Sequence, residues 1–186
     1  MALLFHGPSF ESSTNALAVS AIVSILTHSF KMDSVGNFHL NVTHGFGISR
    51  EGRKLAVMMS ETTILYSLGR KIVVHDLEHN KQRAIDVGGK VRAVTSLQVC
   101  PRKRYLAISE MPNATGSPPQ VSIIDLEAEK PKRLRTLVHV NENAEVVVTG
   151  SKYVDVDFSN DSKLVVAVTN EPTYTIVVWD WFRTQQ

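Results

Sequence analysis

Four side chains that could bind a metal ion stand at alternate positions in the segment DVDFSND. They are Asp155, Asp157, Ser159 and Asp161, and carboxylate and hydroxyl oxygens at this spacing are the first ligands of a calcium-binding loop. A complete loop also needs Gly at its sixth position and a bidentate Glu at its twelfth, where this sequence has Asn160 and Val166. The same alternation is typical of a strand whose polar side chains face solvent. We therefore interpret the segment as a strand and a turn, without calcium.

The other side chains with a metal-binding spacing are His75 and His79. Four residues apart, they would lie on one face of a helix, but the surrounding sequence alternates as in a strand, where that spacing does not pair two rings. No third His lies nearby in the sequence, and Cys100 is the only cysteine among 186 residues. We therefore expect no metal, no cofactor and no disulfide framework.

Motifs for enzymatic chemistry are absent from the sequence. It contains no GxSxG nucleophile elbow, phosphate-binding loop, GxGxxG turn or HExxH zinc motif. The net formal charge of +2 comes from 20 basic and 18 acidic side chains mixed along the chain. Such a balance creates no broad positive electrostatic potential that would attract nucleic acid or an anionic membrane. The sequence favours a non-enzymatic protein that binds neither.

The elements that would position these residues repeat along the chain. The segments AVTSLQVCPRKRYLAISE and KYVDVDFSNDSKLVVAVT each contain an alternating strand, a polar turn and a second, almost continuously apolar strand. The alternating strand should bury one face, whereas the apolar strand should be buried on both. The apolar strand begins at Tyr105 and Leu106 in the first copy, and the turn holds Ser159 and Asp161 in the second. Both copies predict a β-hairpin.

A third strand follows each hairpin and has an acidic residue near its end. In QVSIIDLE this residue is Asp125, in TIVVWDW it is Asp180 after Trp179, and an earlier strand, RKIVVHDLE, has Asp76 there. The intervals of 49 and 55 residues exceed the ~40–45 residues of a WD repeat by little more than the visible insertions. One insertion, MPNATGSPPQ, predicts a protruding loop, and another, NENAEVVVTG, predicts a short apolar strand. A β-sandwich also has frequent strands but need not repeat its turns in phase.

The predicted fold is all-β, with about two and a half to three WD40-type β-propeller blades. Residues 46–186 form the propeller segment, and residues 1–45 form an N-terminal extension of uncertain structure whose apolar run, residues 16–26, is about half the length of a membrane-spanning helix. Propellers usually close with four to eight blades, so we expect an incomplete propeller. Few residues follow Asp180, too few for the outermost strand of the last blade. Unpaired strand edges would allow self-association.

Two basic runs, PRKR and KPKRLR, lie in the repeat region. Their candidate partner-binding residues are Arg102, Lys103, Arg104, Lys132, Arg133 and Arg135. If the runs belong to adjacent blades, they could lie on neighbouring parts of the surface and bind an acidic partner. The alternative is a solvated turn and a charged outer strand that discourages strand addition. The sequence leaves both interpretations open.

Several of these segments resemble the opening part of the propeller in WD-repeat proteins of motile cilia, the family of cilia- and flagella-associated protein 57. The similar segments are ILYSLGRKIVVHDLEHNKQRAIDVG, SLQVCPRKRYLAISE, YVDVDFSNDSKLVVA and VVWDWFRTQ. Their order and spacing agree with the family over roughly residues 46–186, whereas a single WD dipeptide would not distinguish one WD-repeat protein from another.

The resemblance implies a non-catalytic scaffold of the motile-cilium axoneme, located in the cytoplasm and its cytoskeleton. It implies contacts with axonemal dynein and doublet-microtubule components that help to assemble or regulate inner dynein arms. It also implies that the strand at Tyr105 and Leu106, the turn at Ser159 and Asp161, and the strand end at Trp179 and Asp180 hold blades together. The alternative is a general cytosolic or nuclear WD-repeat adaptor without an axonemal role, which partner identity would distinguish.

Overall fold

The computed structural model describes residues 25–32, 38–47, 52–88, 90–114, 117–128, 130–147, 150–170, 172 and 174–183. Over these ranges the chain forms thirteen β-strands and no helix. The strands are β1 (Ile25–Met32), β2 (Phe38–Phe46), β3 (Ala56–Met58), β4 (Thr63–Leu68), β5 (Lys71–Asp76), β6 (Lys81–Asp86), β7 (Val91–Val99), β8 (Tyr105–Pro112), β9 (Gln120–Asp125), β10 (Lys132–Leu137), β11 (Tyr153–Phe158), β12 (Leu164–Thr169) and β13 (Ile176–Asp180).

The strands form four antiparallel sheets in which every strand pairs with its neighbours in sequence. β3 to β6 form a four-stranded sheet, β7 to β10 a second, and β11 to β13 a three-stranded sheet, while β1 pairs with β2. Successive up-and-down sheets of four strands are the blades of a β-propeller. The prediction of an incomplete set of WD40-type blades is therefore confirmed. We call the three larger sheets the first, second and third blades, in chain order.

The second blade is buried on both faces, which explains the nearly continuous apolar sequence of β8. Because side chains alternate along a strand, Leu106 and Ile108 pack against the first blade, while Ala107 between them packs against the third. The strand β9 divides in the same way, with Ile124 on the first-blade side and Ile123 on the other. All five side chains are at most 2% exposed. The core therefore consists of two layers separated by one sheet.

The strand β7 contacts the third blade through side-chain hydrogen bonds and the segment before β3 through a close backbone approach. The hydroxyl of Thr95 donates to the Tyr153 carbonyl of β11 at 2.7 Å, and that of Ser96 donates to the Asp155 carboxylate at 3.0 Å. On the other side of β7, Gly52 lies so close that a Cβ atom there would be 2.2 Å from the Thr95 carbonyl oxygen. Since carbon and oxygen need well over 3 Å, only glycine permits this approach.

The loop predicted for MPNATGSPPQ lies between β8 and β9 but is shorter than expected. β8 continues through Met111 to Pro112, because the nine-residue strand β7 provides Val91 as a partner for Pro112. The absent N–H of a proline costs little at a strand end. The short apolar strand predicted in NENAEVVVTG falls partly on residues 148–149, which lie outside the described residues, and the described part of the segment forms only isolated bridges, including Val146 with Val140. Val146 is 53% exposed, so little burial supports a strand there.

The N-terminal hairpin is attached to the first blade. The Tyr66 hydroxyl donates to the carbonyl of Gly45 in β2 at 2.6 Å, and the Gly45 N–H donates to the Gln82 side-chain oxygen at 2.8 Å. The expected boundary between residues 45 and 46 falls at the end of β2. Residues 1–24 lie outside the described residues. In the part of the chain that the structure describes, no helix is long and apolar enough to cross a membrane.

The burial of β8 predicts a large cost for shortening one of its side chains. Leu106 is 0% exposed, so Leu106→Ala should lower the free energy of unfolding by about 2–5 kcal/mol. The matched change Leu134→Ala, at a residue that is 43% exposed on β10, should cost less than about 1 kcal/mol. Urea unfolding followed by circular dichroism measures both. Equal costs would contradict the placement of β8 between two blades.

Candidate interaction surface

The acidic residue at the end of each third strand caps the turn that follows it. Asp76 accepts hydrogen bonds from the backbone N–H groups of Glu78 and His79 at 3.0 and 3.2 Å. Asp125 accepts one from Glu127 at 3.0 Å, and Asp180 accepts one at 3.1 Å from the N–H three residues later. Short acidic side chains satisfy turn N–H groups in this way. The repeated aspartates therefore have the same local role in all three blades.

Arg104 joins two turns at one end of the second blade. Its guanidinium donates to the Asp125 carboxylate at 3.0 Å and lies 3.4 Å from that of Glu127. The bond from Arg104 holds the pKa of Asp125 below its usual range, and the same bond raises the pKa of Arg104. The turn between β7 and β8 is thereby fixed against the turn between β9 and β10. The guanidinium also stacks 5.1 Å from the ring centre of Tyr105.

The two basic runs belong to the same blade, which corrects the expectation that they lie in adjacent blades. Arg102 and Lys103 are exposed in the turn between β7 and β8, and Lys132 is exposed at the start of β10. Asp125 pairs with Tyr105 on one side and with Lys132 on the other, which places both runs at one end of the sheet. We call Arg102, Lys103 and Lys132 the basic end of the second blade. Among the described residues, no carboxylate forms an ion pair with these three cations.

Arg135 and Arg133 lie further along β10 and differ in their contacts. Arg135 is half-buried opposite Ile123. Arg133 is turned inward, where its guanidinium donates to the Glu110 carboxylate at 2.7 Å and to the Val87 carbonyl. The Glu110 side chain is 0% exposed and also accepts a bond from Gln120 at 2.6 Å. Arg133 therefore neutralises a buried charge, and the basic end consists of the other cations.

Burial raises the pKa of Glu110, and its bonds to Gln120 and Arg133 offset part of that rise. A carboxylate removed from water loses its hydration, which disfavours the charged form. The network connects β8, β9 and β10 with the segment after β6. Removing one member of a buried ion pair is costly, whereas replacing both members by uncharged groups is often nearly neutral.

The segment DVDFSND forms the strand β11 and a turn. The hydroxyl of Ser159 donates to the Asp161 carboxylate at 2.6 Å, and Asp161 accepts the backbone N–H of Lys163 at 3.1 Å. These bonds, that from Ser159 above all, lower the pKa of Asp161. Asp155 instead contacts Ser96, and Asp157 lies 3.8 Å from Lys54. The side chains of this segment thus have separate protein partners.

The two histidines also have separate partners. The ring of His75 lies 3.1 Å from the side-chain oxygen of Asn80, whereas that of His79 lies 2.8 Å from the Asp76 carboxylate. Over the described ranges, no group of three or more His, Cys, Asp or Glu side chains could hold a metal ion.

The tryptophan that is most deeply buried was not identified from the sequence. Trp179 is half-buried and donates to the Val138 carbonyl at 3.1 Å, which links the third blade to the end of the second. Trp181, two residues later, is only 3% exposed, donates to the Ser162 carbonyl at 2.9 Å and packs on the Tyr105 ring at 4.9 Å. The WD dipeptide drew attention to Trp179. The signal that could have identified Trp181 is the large apolar residue directly after each capping aspartate, which is Leu77, Leu126 or Trp181.

The raised pKa of Glu110 predicts a pH dependence of stability. As pH rises above about 4.5, the unfolded chain releases the proton that the folded chain still holds, so the folded state becomes less stable until pH passes the raised pKa. Glu110→Gln should remove this loss of stability. Urea unfolding across pH 4 to 8 measures it, with the exposed Glu61→Gln as the control. If the unfolding free energies of the wild type and of E110Q change with pH in parallel, the pH dependence does not come from Glu110.

The buried ion pair predicts non-additive effects of removing its two members. Arg133→Met leaves the Glu110 carboxylate without its cation and should cost about 3 kcal/mol of unfolding free energy. The double variant Glu110→Gln with Arg133→Met buries no charge and should recover most of that cost. Urea unfolding of the wild type, the two single variants and the double variant measures these free energies. If the losses of unfolding free energy in the single variants add up to the loss in the double variant, the two groups do not interact.

Comparisons with known proteins identify relatives among cilia- and flagella-associated proteins. The chain is 28% identical over 144 residues to mouse cilia- and flagella-associated protein 44, a match that spans 77% of this chain and 7% of that protein. It is 25% identical over 138 residues to mouse cilia- and flagella-associated protein 57, spanning 74% of this chain and 10% of that protein. Protein 57 C of Tetrahymena thermophila is 31% identical over 70 residues, which are 38% of this chain and 5% of that protein. The chain thus spans about a tenth or less of these relatives.

Solved structures give a likeness of fold. A putative 6-phosphogluconolactonase from Bacteroides uniformis superposes with a TM-score of 0.50 at 13% identity, over 83% of this chain and 49% of that one. The C-terminal WD40 domain of Sif2 superposes with a TM-score of 0.46 at 11% identity, over 77% and 42% of the two chains. No protein-family model matches the chain. The chain is therefore a propeller-type protein whose sequence resembles cilia- and flagella-associated proteins 44 and 57 over about three quarters of its length.

Proposed function

We propose that this chain is a non-catalytic WD-repeat scaffold of the ciliary or flagellar axoneme. The observation that carries the proposal is its similarity to two mouse proteins named for their association with cilia and flagella, each matched over about three quarters of this chain. The blades supply rigid sheets with exposed turns at both ends, an arrangement suited to binding other proteins. Within the axoneme, the scaffold would help to assemble or regulate inner dynein arms on the doublet microtubules.

The basic end of the second blade is the surface that we assign to partner binding. Arg102 and Lys103 project from a turn that Arg104 anchors to Asp125, so their backbone is held in one position. Lys132 lies on the same side of that anchor. Three exposed cations on a fixed support match a partner segment rich in Asp or Glu, and a preorganised surface loses less entropy on binding.

Localisation in ciliated cells tests the proposed function. A tagged chain should co-localise with the axonemes of motile cilia and remain with them after detergent extraction. A fluorescent tag expressed alone is the control. A well-expressed chain that stays diffuse in the cytoplasm, or enters the nucleus, would refute the axonemal assignment and favour a general adaptor.

Charge reversal tests the binding surface separately. Arg102→Glu with Lys103→Glu should weaken binding of a glutamate-rich peptide by about tenfold or more, since each exposed ion pair contributes up to about 1 kcal/mol and reversal adds repulsion. The matched control is Arg70→Glu with Lys71→Glu, the same charge change at the opposite end of the first blade. Fluorescence anisotropy of a labelled peptide at low and high salt measures the effect. If both double variants weaken peptide binding equally, the effect comes from the net charge of the chain and not from the basic end.

A further inference from the structure

A compact turn with exposed aliphatic side chains follows the second blade. Residues 139–147 come shortly after the end of β10. The backbone N–H of Val147 donates to the His139 carbonyl at 2.8 Å, and Val140 and Val146 form an antiparallel bridge. These two valines are 40% and 53% exposed. We call residues 139–147 the acidic turn, after the two glutamates at its tip.

The tip of the acidic turn is held in one conformation by Asn141. The Asn141 side-chain oxygen accepts hydrogen bonds from the backbone N–H groups of Asn143 and Glu145 at 3.0 and 2.9 Å. The Asn141 side-chain amide donates to the Glu145 carboxylate at 2.9 Å. Glu142 and Glu145 are both exposed, and in the part of the chain that the structure describes neither forms an ion pair. A cation from outside the chain can therefore reach both carboxylates.

The acidic turn and the basic end lie at opposite ends of the second blade. β10 begins at Lys132, which pairs with Asp125 at the end of β9. It ends at Leu137, which pairs with Val121 near the start of β9. The six residues of β10 span about 20 Å. That length keeps the two surfaces apart within one chain, whereas two copies placed end to end bring opposite charges together.

The basic end contains a residue whose backbone conformation favours glycine. Lys103 has a φ of 61°, in the left-handed region where a residue with a side chain is disfavoured. Its counterpart in the turn between β11 and β12 is Ser162, with a φ of 63°, but Ser162 is 3% exposed and its carbonyl accepts the bond from Trp181. Lys103 is exposed, so packing within the chain does not account for a lysine at this position. A contact with a second molecule would account for it.

We propose that the acidic turn of one copy of this chain binds the basic end of a second copy. Glu142 and Glu145 form ion pairs with the three cations of the basic end, and the exposed valines of the turn lose water in the contact. The inference rests on the partner-binding surface proposed above and names its partner. Because the two surfaces differ and each copy carries both, the contact is heterologous and can continue from copy to copy.

Sedimentation velocity of the full 186-residue chain tests the proposal. Exposed ion pairs are individually weak and are screened by salt. The mean mass of the wild type should therefore rise with protein concentration at low salt and fall again when salt is added. Glu142→Lys with Glu145→Lys should weaken self-association by about tenfold or more, and Arg102→Glu with Lys103→Glu should do the same, because each double change replaces attraction by repulsion.

A charge exchange tests the contact between these two surfaces directly. A mixture of the two double variants should associate although neither does so alone, because the reversed turn of one variant then meets the reversed basic end of the other. The matched control is Glu61→Lys with Glu78→Lys, the same charge change at exposed positions in turns of the first blade, which should change self-association little. Circular dichroism checks that each variant is folded.

Three outcomes would overturn the proposal. The first is a wild type that stays monomeric at every concentration. If that monomer still binds the glutamate-rich peptide, the binding surface stands and only the second copy is wrong as its partner, whereas a monomer that binds no such peptide refutes the surface as well. The second outcome is a mixture of the double variants that stays monomeric. The third is self-association that persists at high salt and in both double variants, which would indicate pairing of strand edges instead.

Discussion

The burial of the second blade on both faces is the constraint on which the rest of the structure depends. β8 and β9 have no solvent-facing side, so adjacent residues such as Leu106 and Ala107 must fit two different neighbours. A one-residue shift in register would exchange the two sets of side chains and misplace both at once. The side chains of β8 and β9 therefore fix the packing of both neighbouring blades at once.

Polar and charged side chains lie at the strand ends and on the outermost strands of the blades. The repeated aspartates end the third strands and cap the turns, while charges on β6 and β10 mark the outer edges. Glu110 is the exception, since it places a carboxylate inside the sheet and requires Arg133 from β10 to neutralise it. A buried group that needs one particular partner disfavours alternative pairings of the outer strand.

Much of the fold could be predicted from the sequence because its signals are local. The alternation of β11, the apolar run of β8 and the recurring Asp76, Asp125 and Asp180 each indicate structure within a few residues of themselves. The missed features depend on distant contacts. Glu110 was not singled out from the sequence, because its partner Arg133 is 23 residues away. The hairpin of β1 and β2 is attached to the first blade by bonds from Gly45 to Tyr66 and Gln82, which no local pattern indicates.

The close approach of Gly52 to β7 has a consequence for how the blades can vary. At this point the first and second blades meet backbone to backbone, with room for no further atom next to the Thr95 carbonyl. Side chains elsewhere between the blades can be exchanged for others of similar volume with modest adjustment. Here, the addition of a single methyl group would force the two inner segments apart, and so would change the angle between whole sheets instead of the packing of one residue.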